Sequence, residues 1–363
     1  MFKPTRLIWL FGCLVLFFTA CSGGNRASST MPGTAQLGEV RHTKSVGDIT
    51  VYTLPNGLAQ PEGVTTAPDG SVWVAESFRN GPSHSGILAK FNSAGVLTEY
   101  TIPDQAGNQV HPFIVAVGPD GKIWFAAFSS LGPSAFYGSI KTDGSALTVY
   151  TYNATTLGHI NGMTAGPDGN LWVTVSGCRG CNGLDKISTS GTFVPGVTLV
   201  KTPGWLITGP DNNLWFVEPN DNFIGRATTS GTLTEFPTGL SGYSPTDLVS
   251  DLNGIVFTAT NGSSGRLAKM STSGTLMSIV GVPWTEGNYL PVAYGGIAGG
   301  RPYYVLGTGM TQVQQSGLQT TFTIPDPNPQ SGGPVPGITF DPTVSSIWYT
   351  DAGNGTVVKF SLI

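Results

Sequence analysis

Gly166-Pro167-Asp168-Gly169-Asn170-Leu171-Trp172-Val173 decides the fold, because the chain repeats it. Ala67-Pro68-Asp69-Gly70-Ser71-Val72-Trp73-Val74, Gly118-Pro119-Asp120-Gly121-Lys122-Ile123-Trp124-Phe125 and Gly209-Pro210-Asp211-Asn212-Asn213-Leu214-Trp215-Phe216 are further copies, and Ser346-Ile347-Trp348-Tyr349 is the end of another. Two weaker copies, Leu252-Asn253-Gly254-Ile255-Val256-Phe257 and Arg301-Pro302-Tyr303-Tyr304-Val305, fill the gap between them. The Trp place thus falls at 73, 124, 172, 215, 256, 304 and 348, with intervals of 41 to 51 residues. A period of that size means stacked or circular repeats, not separate domains. Within each copy Pro presets φ and Gly accepts a positive φ, so the motif reads as a hairpin turn between an apolar strand and a Trp-bearing one.

Two more strands follow in each unit. The third carries Ile224-Gly225-Arg226, Leu88-Ala89-Lys90 or Leu267-Ala268-Lys269, and a Ser-Gly or Asp-Gly turn such as Asp143-Gly144 or Ser230-Gly231 leads to an outer strand such as Leu97-Thr98-Glu99-Tyr100 or Leu233-Thr234-Glu235-Phe236. Four antiparallel strands per repeat of about 45 residues is a β-propeller blade. The last copy stops at its third strand, Val357-Val358-Lys359-Phe360, while Ile49-Thr50-Val51-Tyr52-Thr53-Leu54-Pro55 repeats the outer-strand pattern of Leu97-Thr98-Glu99-Tyr100-Thr101-Ile102-Pro103. The expected fold is therefore all-β: a seven-bladed β-propeller of four-stranded antiparallel blades over residues 46–363, its last blade closed by the N-terminal strand. Closure removes two exposed edges. The Trp residues are expected to be plates that pack blade on blade, not ligand-stacking groups.

Composition agrees. The 363 residues include 51 Gly and 26 Pro, and 10% are charged, against roughly 25% in an average domain. That excludes a coiled coil, and 39% apolar residues with a net charge of −4 exclude disorder. An acidic balance, pI ≈ 5.5, gives no electrostatic reason to expect nucleic acid. A monomer is expected.

The N-terminus carries an address. Lys3 and Arg6 precede an apolar run, Leu7 to Phe18, and then Thr19-Ala20-Cys21. This is a secretory signal pattern, with an apolar run too short for a permanent membrane span. It resembles a bacterial lipoprotein signal, which implies that residues 1–20 are removed and that Cys21 is lipid-modified and holds the protein to a membrane. The alternative is an ordinary signal peptide with Cys21 left free. Ser22, not Asp, follows the cysteine, which favours the outer membrane of the cell envelope. Residues 21–45 read as a flexible tether with a reach of roughly 25–30 Å. Cys178 and Cys181, in Gly177-Cys178-Arg179-Gly180-Cys181, are expected to close a small disulfide loop in an oxidising compartment. Unpaired thiols or a redox or metal pair are the alternatives, although no βαβ pattern or further ligand pair lies nearby.

In a propeller, the loops entering each innermost strand and those following each Trp strand meet at one mouth of the channel, where ligands usually bind. The entry positions are Glu62, His111 with Phe113, His159 with Asn161, Trp205, Asp247, Val292 and Gly337; the positions after the Trp strand are Glu76, Ala127, Val175, Glu218, Ala259, Gly307 and Asp351. Glu62, Glu76, His111 and Asp351 fall in blades seven, one and two and are expected to share one sector. Three carboxylates could hold Mg²⁺ or Ca²⁺, and Glu62 or His111 could serve as a general base. Solvated polar residues on exposed loops are the plainer reading. His42 and His84 read as tether and loop residues.

The run Gly-Pro-Asp-Gly-Asn-Leu-Trp-Phe with Ile-Gly-Arg, Thr-Ser-Gly and Leu-Thr-Glu-Phe, nearest in Gly209 to Phe236, resembles the streptogramin B lyase (virginiamycin B lyase) family over about residues 49–363. The resemblance implies a seven-bladed propeller and a Mg²⁺-dependent elimination that opens a cyclic depsipeptide at its ester. It also implies Pro-His-(Ala/Gly)-Ile at the entry of the last two blades and a Glu after the last Trp strand. This chain departs there: Leu290-Pro291-Val292-Ala293 has Val292 in the His place, Pro334-Val335-Pro336-Gly337-Ile338 has no His, and Asp351 stands where the last carboxylate would be. Valine cannot take a proton. The expectation is a lipid-anchored envelope scaffold whose mouth binds a small molecule, carbohydrate, peptide or protein. The alternative is a metal-dependent lyase or an ester or lactone hydrolase with its site moved to Glu62, Glu76, His111 and Asp351, and a third is a purely structural envelope component. The Pro-Asp-Gly-x-Leu-Trp pattern also occurs in calcium-dependent lactonase propellers, typically six-bladed.

Overall fold

The Pro-Asp-Gly signature is explained by what its aspartate touches. In blade four Asp211 accepts the Asn213 amide at 3.2 Å and the Trp215 indole N–H at 2.9 Å. Asp120 and Asp168 hold the indoles of Trp124 and Trp172 the same way, at 3.0 and 2.9 Å. In blade one Ser71 relays the bond from Trp73 to Asp69. A buried indole N–H without an acceptor is costly, so turn and plate are chosen together. Blade seven lacks the motif, its Asp341 accepts from Thr343 instead, and the Trp348 indole N–H makes no hydrogen bond.

The computed structural model describes residues 41–43, 48–55, 59–78, 86–129, 134–153, 158–178, 180–283, 290–295, 303–306, 309–324 and 337–362. Among them lie no helices, and the strands pair into seven antiparallel sheets. Blade one comprises Ala59–Thr66, Val72–Phe78, Ile87–Phe91 and Leu97–Thr101. Blade two has Val110–Val117, Ile123–Ser129, Ser134–Ile140 and Thr148–Asn153, and blade three His159–Ala165, Leu171–Ser176, Gly183–Ile187 and Phe193–Thr198. Blade four has Leu206–Thr208, Leu214–Glu218, Phe223–Ala227 and Leu233–Pro237, and blade five Ser244–Asp251, Gly254–Thr260, Gly265–Met270 and Leu276–Val282. Blade six has Val292–Tyr294, Tyr303–Leu306, Met310–Val313 and Gln319–Phe322, and blade seven Ile338–Asp341, Ser346–Asp351 and Thr356–Ser361. The first strand of each blade packs on the first strand of the next, and that of blade seven packs on that of blade one.

The strand Ile49–Thr53 closes blade seven by pairing with its third strand, Ile49 opposite Phe360 and Tyr52 opposite Val357. Tyr52 stacks on Trp348 at 5.4 Å, as Tyr100 stacks on Trp73 at 5.4 Å and Phe236 on Trp215 at 5.6 Å. Its hydroxyl rests on the next blade at Gly95, whose φ is +80° and where an added Cβ would stand 2.4 Å from the oxygen; only glycine suits both demands. One expectation is corrected here. Arg41–Thr43 pairs with Ile49–Val51 as a fifth, outermost strand of this sheet, so the stretch 21–45 is not tether throughout.

The cation of the third strand is explained by register. Arg226 lies opposite Trp215, stacks over it at 5.6 Å and donates to the Thr272 carbonyl of blade five at 2.7 Å. Lys90 does the same between Trp73 and the Thr142 carbonyl of blade two. The cores lie between blades, built on plates such as Trp73, Trp124, Trp215 and Trp348, all at most 1% exposed. Each buried large apolar side chain stabilises by about 1.5–3 kcal/mol.

Candidate functional site

In blades one, two, three and five the innermost strand is interrupted just after a Pro or an Ile. The register slips between Pro61 and Val64, Pro112 and Ile114, Ile160 and Gly162, and Pro245 and Asp247. A proline has no N–H to give the ladder, and a bulge at that place re-aims the following side chain. The bulged positions include Glu62, Phe113, Asn161 and Thr246. In blade five this corrects the sequence reading: Thr246, not Asp247, is equivalent to Glu62, while Asp247 stays paired with Thr258.

Past these bulges the seven first strands enclose an axial cavity of about 540 Å³. Its wall is mostly apolar and aromatic, with Met163, Trp205, Val292, Tyr294 and Phe340, and hydroxyls come from Thr65, Thr164, Thr208, Ser250 and Thr339. Asp247 is the one ionisable acid among the described lining residues, and it is committed. It accepts the amide of Leu248 at 2.7 Å and that of Val292 at 2.9 Å, tying blade five to blade six. Blade-to-blade ties of another kind come from the threonines two residues past the Trp place. Thr174 donates to the Gly204 carbonyl at 2.6 Å, Thr350 to the Glu62 carbonyl at 2.6 Å, and Thr258 to the Leu290 carbonyl.

The four residues expected to share one sector do not form a ligand set. Among the described residues no three of His, Cys, Asp and Glu are grouped to hold a metal ion. Glu62 is buried and accepts the Ser77 hydroxyl. Glu76 belongs to the face of blade one that carries Val74 and packs on blade seven, away from the cavity wall. Asp351 folds onto its own hairpin, accepting the amides of Gly353 and Asn354 and the Asn354 side chain at 2.8 Å. His111 is buried and stacked on Phe128 at 5.2 Å, and its Nδ1 makes no hydrogen bond. Burial lowers its pKa, partly offset by Asp104, which keeps the imidazole neutral near pH 7. The physical reason is alternation: neighbouring strand positions face different blades, so residues close on one loop map are parted by a sheet. A Mg²⁺ ion of the sort the resemblance implies is not fitted by these residues.

Cys178 and Cys181 are bonded to each other, with the Cys178 amide donating to the Cys181 sulfur at 2.8 Å. Cys181 borders a cavity of about 150 Å³ with Asp185 and Gly196.

One arrangement was missed by the sequence reading. In blade four Glu218, fully buried, meets Lys201 at 3.8 Å, and Lys201 also pairs with Glu235. Burial first, and then Glu235, push the Glu218 carboxyl up to about 8 against the opposing pull of Lys201. In blade one Glu76 is likewise fully buried, and burial together with Glu99 holds it well above the glutamate range. The signal was present in the repeated Leu-Thr-Glu-aromatic outer strand, whose glutamate reads from sequence as solvent-facing.

Residues 147–362 match the model of the virginiamycin B lyase family. The chain belongs to that family. A streptogramin B lyase structure superposes with a TM-score of 0.67 at 21% identity, covering 87% of this chain and 97% of that one. A catalytically inactive His-to-Ala variant of virginiamycin B lyase from Staphylococcus aureus with quinupristin gives 0.67 at 23% identity, over 87% of this chain and 99% of that one. The WD40 domain of Neurospora crassa Pan2 gives 0.60 at 11%, covering 88% and 98%. No curated protein matches the chain. At these identities the structural likeness speaks for the fold alone. Within this virginiamycin B lyase family member, Val292, where the family resemblance puts the sixth-blade histidine, lies on the wall of the axial cavity, and the corresponding place in the seventh-blade entry lies outside the described residues.

Proposed function

We propose that this virginiamycin B lyase family member is a ligand-binding propeller that does not carry out an elimination. The observation that carries the reading is the cavity wall at Val292, whose side chain has no proton to exchange, beside an Asp247 held by two amides. An elimination needs a base within hydrogen-bond reach of the proton it removes. The aromatic faces of Trp205 and Tyr294 with scattered hydroxyls suit a compact ligand that has an apolar face and a polar rim, such as a cyclic peptide or a sugar. Anchoring to the envelope through a lipid on Cys21 belongs to the same reading. It rests on Lys3, Arg6, the apolar run and Thr19-Ala20-Cys21, which lie outside the described residues.

Quinupristin, the compound present with the Staphylococcus aureus relative, is the first probe. Trp205 is the half-buried tryptophan of the cavity wall, so its emission should change saturably on binding and lose that response in Trp205→Phe. The chromatographic retention of the compound should stay unchanged after prolonged incubation with Mg²⁺. A ring-opened product that depends on enzyme concentration would overturn the reading.

A further inference from the structure

Blades one and four carry the same carboxylate pair in the same register. In blade one Val74, Ala89 and Glu99 are mutually opposite, and Glu76 lies two residues beyond Val74. In blade four Phe216, Gly225 and Glu235 are mutually opposite, and Glu218 lies two residues beyond Phe216. Positions that are opposite or two apart share a sheet face, so each pair occupies the cleft toward the preceding blade. Phe216 faces Trp172 of blade three and Val74 faces Trp348 of blade seven.

What differs is the countercharge. Blade four brings the Lys201 ammonium to both of its carboxylates. In both blades the inner glutamate, Glu76 or Glu218, is 0% exposed with neither oxygen hydrogen-bonded, and Oε1 of Glu99 is likewise buried and unbonded. The ammonium that blade seven presents on the facing sheet, Lys359, lies over Trp348 at 5.3 Å and answers to Asp341. Unpaired buried carboxylates are costly enough that they are neutralised by a proton, a cation or a metal. In blade four one ammonium and one retained proton balance two carboxylates. In blade one the same balance calls for two positive charges.

We propose that Glu76 and Glu99, in the cleft between blades seven and one, form a binding site for one divalent cation of the Ca²⁺ type. Carboxylate oxygens are the ligands such ions prefer, and backbone carbonyls and water complete the coordination. Ca²⁺ is favoured over Mg²⁺, which gives up its water reluctantly and would meet a fully buried Glu76. This site is separate from the axial cavity and does not depend on the ligand-binding reading.

The test uses the full-length protein, stripped with EDTA and dialysed against radioactive calcium near neutral pH, with melting followed in parallel. Wild type should take up one ion per chain and melt at a higher temperature as it saturates. Glu76→Gln and Glu99→Gln, which keep the side-chain shape, should lose both responses while retaining the native near-UV circular dichroism. Lys201→Met should gain a second ion, because it turns the blade-four pair into a copy of the blade-one pair. Calcium uptake unchanged in folded Glu76→Gln would overturn the proposal, as would a folded Lys201→Met that gains no ion. Wild type whose stability follows pH alone, with no calcium uptake, would show that the pair holds two protons and would overturn it as well.

Discussion

An aspartate and a tryptophan four residues apart account for most of what makes this repeat recognisable. Asp211 serves the turn amide and the buried indole of Trp215 at once. Asp211→Ala should therefore cost about 1–3 kcal/mol in chemical denaturation, more than Asp69→Ala, where Ser71 remains as an acceptor for Trp73. The buried glutamates act in the other direction with pH. Glu218 rises from the ordinary value of 4.5 to about 8 in the folded chain, so the folded state binds that proton more tightly than the unfolded state. Its stabilising contribution is complete below about pH 4.5 and is lost as pH rises toward about 8. Glu76 shifts in the same direction. In calcium-free buffer, wild-type stability should fall with rising pH across that window, and the Glu76→Gln/Glu218→Gln double variant should show a flatter profile in denaturation at stepped pH.

At the scale of strands, the most consequential element is the one whose partner lies at the far end of the sequence. Ile49–Thr53 completes a sheet whose other strands come from the last residues of the chain. Its Tyr52 is 7% exposed, stacks on Trp348 and packs tilted against Phe91, which joins blade seven to blade one. Removing residues 46–56 should uncover this core and lower the melting temperature sharply, and Tyr52→Ala alone should cost about 3–5 kcal/mol. Removing the chain only as far as residue 43 deletes the outermost strand, which pairs along the outer edge of Ile49–Val51, and should leave the transition nearly where it is. Equal losses from both truncations in calorimetry would contradict the assignment of Tyr52 as the closing plate.

The described blades form a ring of seven cores joined by inter-blade ties. Thr174, Thr258 and Thr350 each donate from one blade to the carbonyl at the start of the next, and Asp247 joins blades five and six. Such a scaffold leaves function to whatever the wall presents. Here it presents aromatic and hydroxyl groups, which is why binding without elimination is the reading we propose. Where the molecule resides is a property of the full chain, and Cys21→Ser should release it into the soluble fraction and abolish labelling with palmitate. A variant that keeps the label would sink the lipoprotein reading.

The sequence by itself determined the repeat, the blade count and the closing strand, because these follow from turn chemistry and strand periodicity, which act between near neighbours. Pro-Asp-Gly followed by Trp, and Tyr52 in the pattern of Tyr100, needed no contact map. The site was far less legible. Glu62, Glu76, His111 and Asp351 could be placed in adjoining blades, yet which face of its sheet each occupies depends on bulges such as the one at Glu62 and on the register beyond them. Only the tertiary structure decided that Asp351 caps its own hairpin, that Thr246 and not Asp247 is the bulged residue of blade five, and that Lys201 answers Glu218 and Glu235 while Glu76 and Glu99 share a sheet face without such a partner. The reason is physical: a countercharge is a matter of distance between side chains brought together by the stacking of blades, and no local period in the chain encodes that distance.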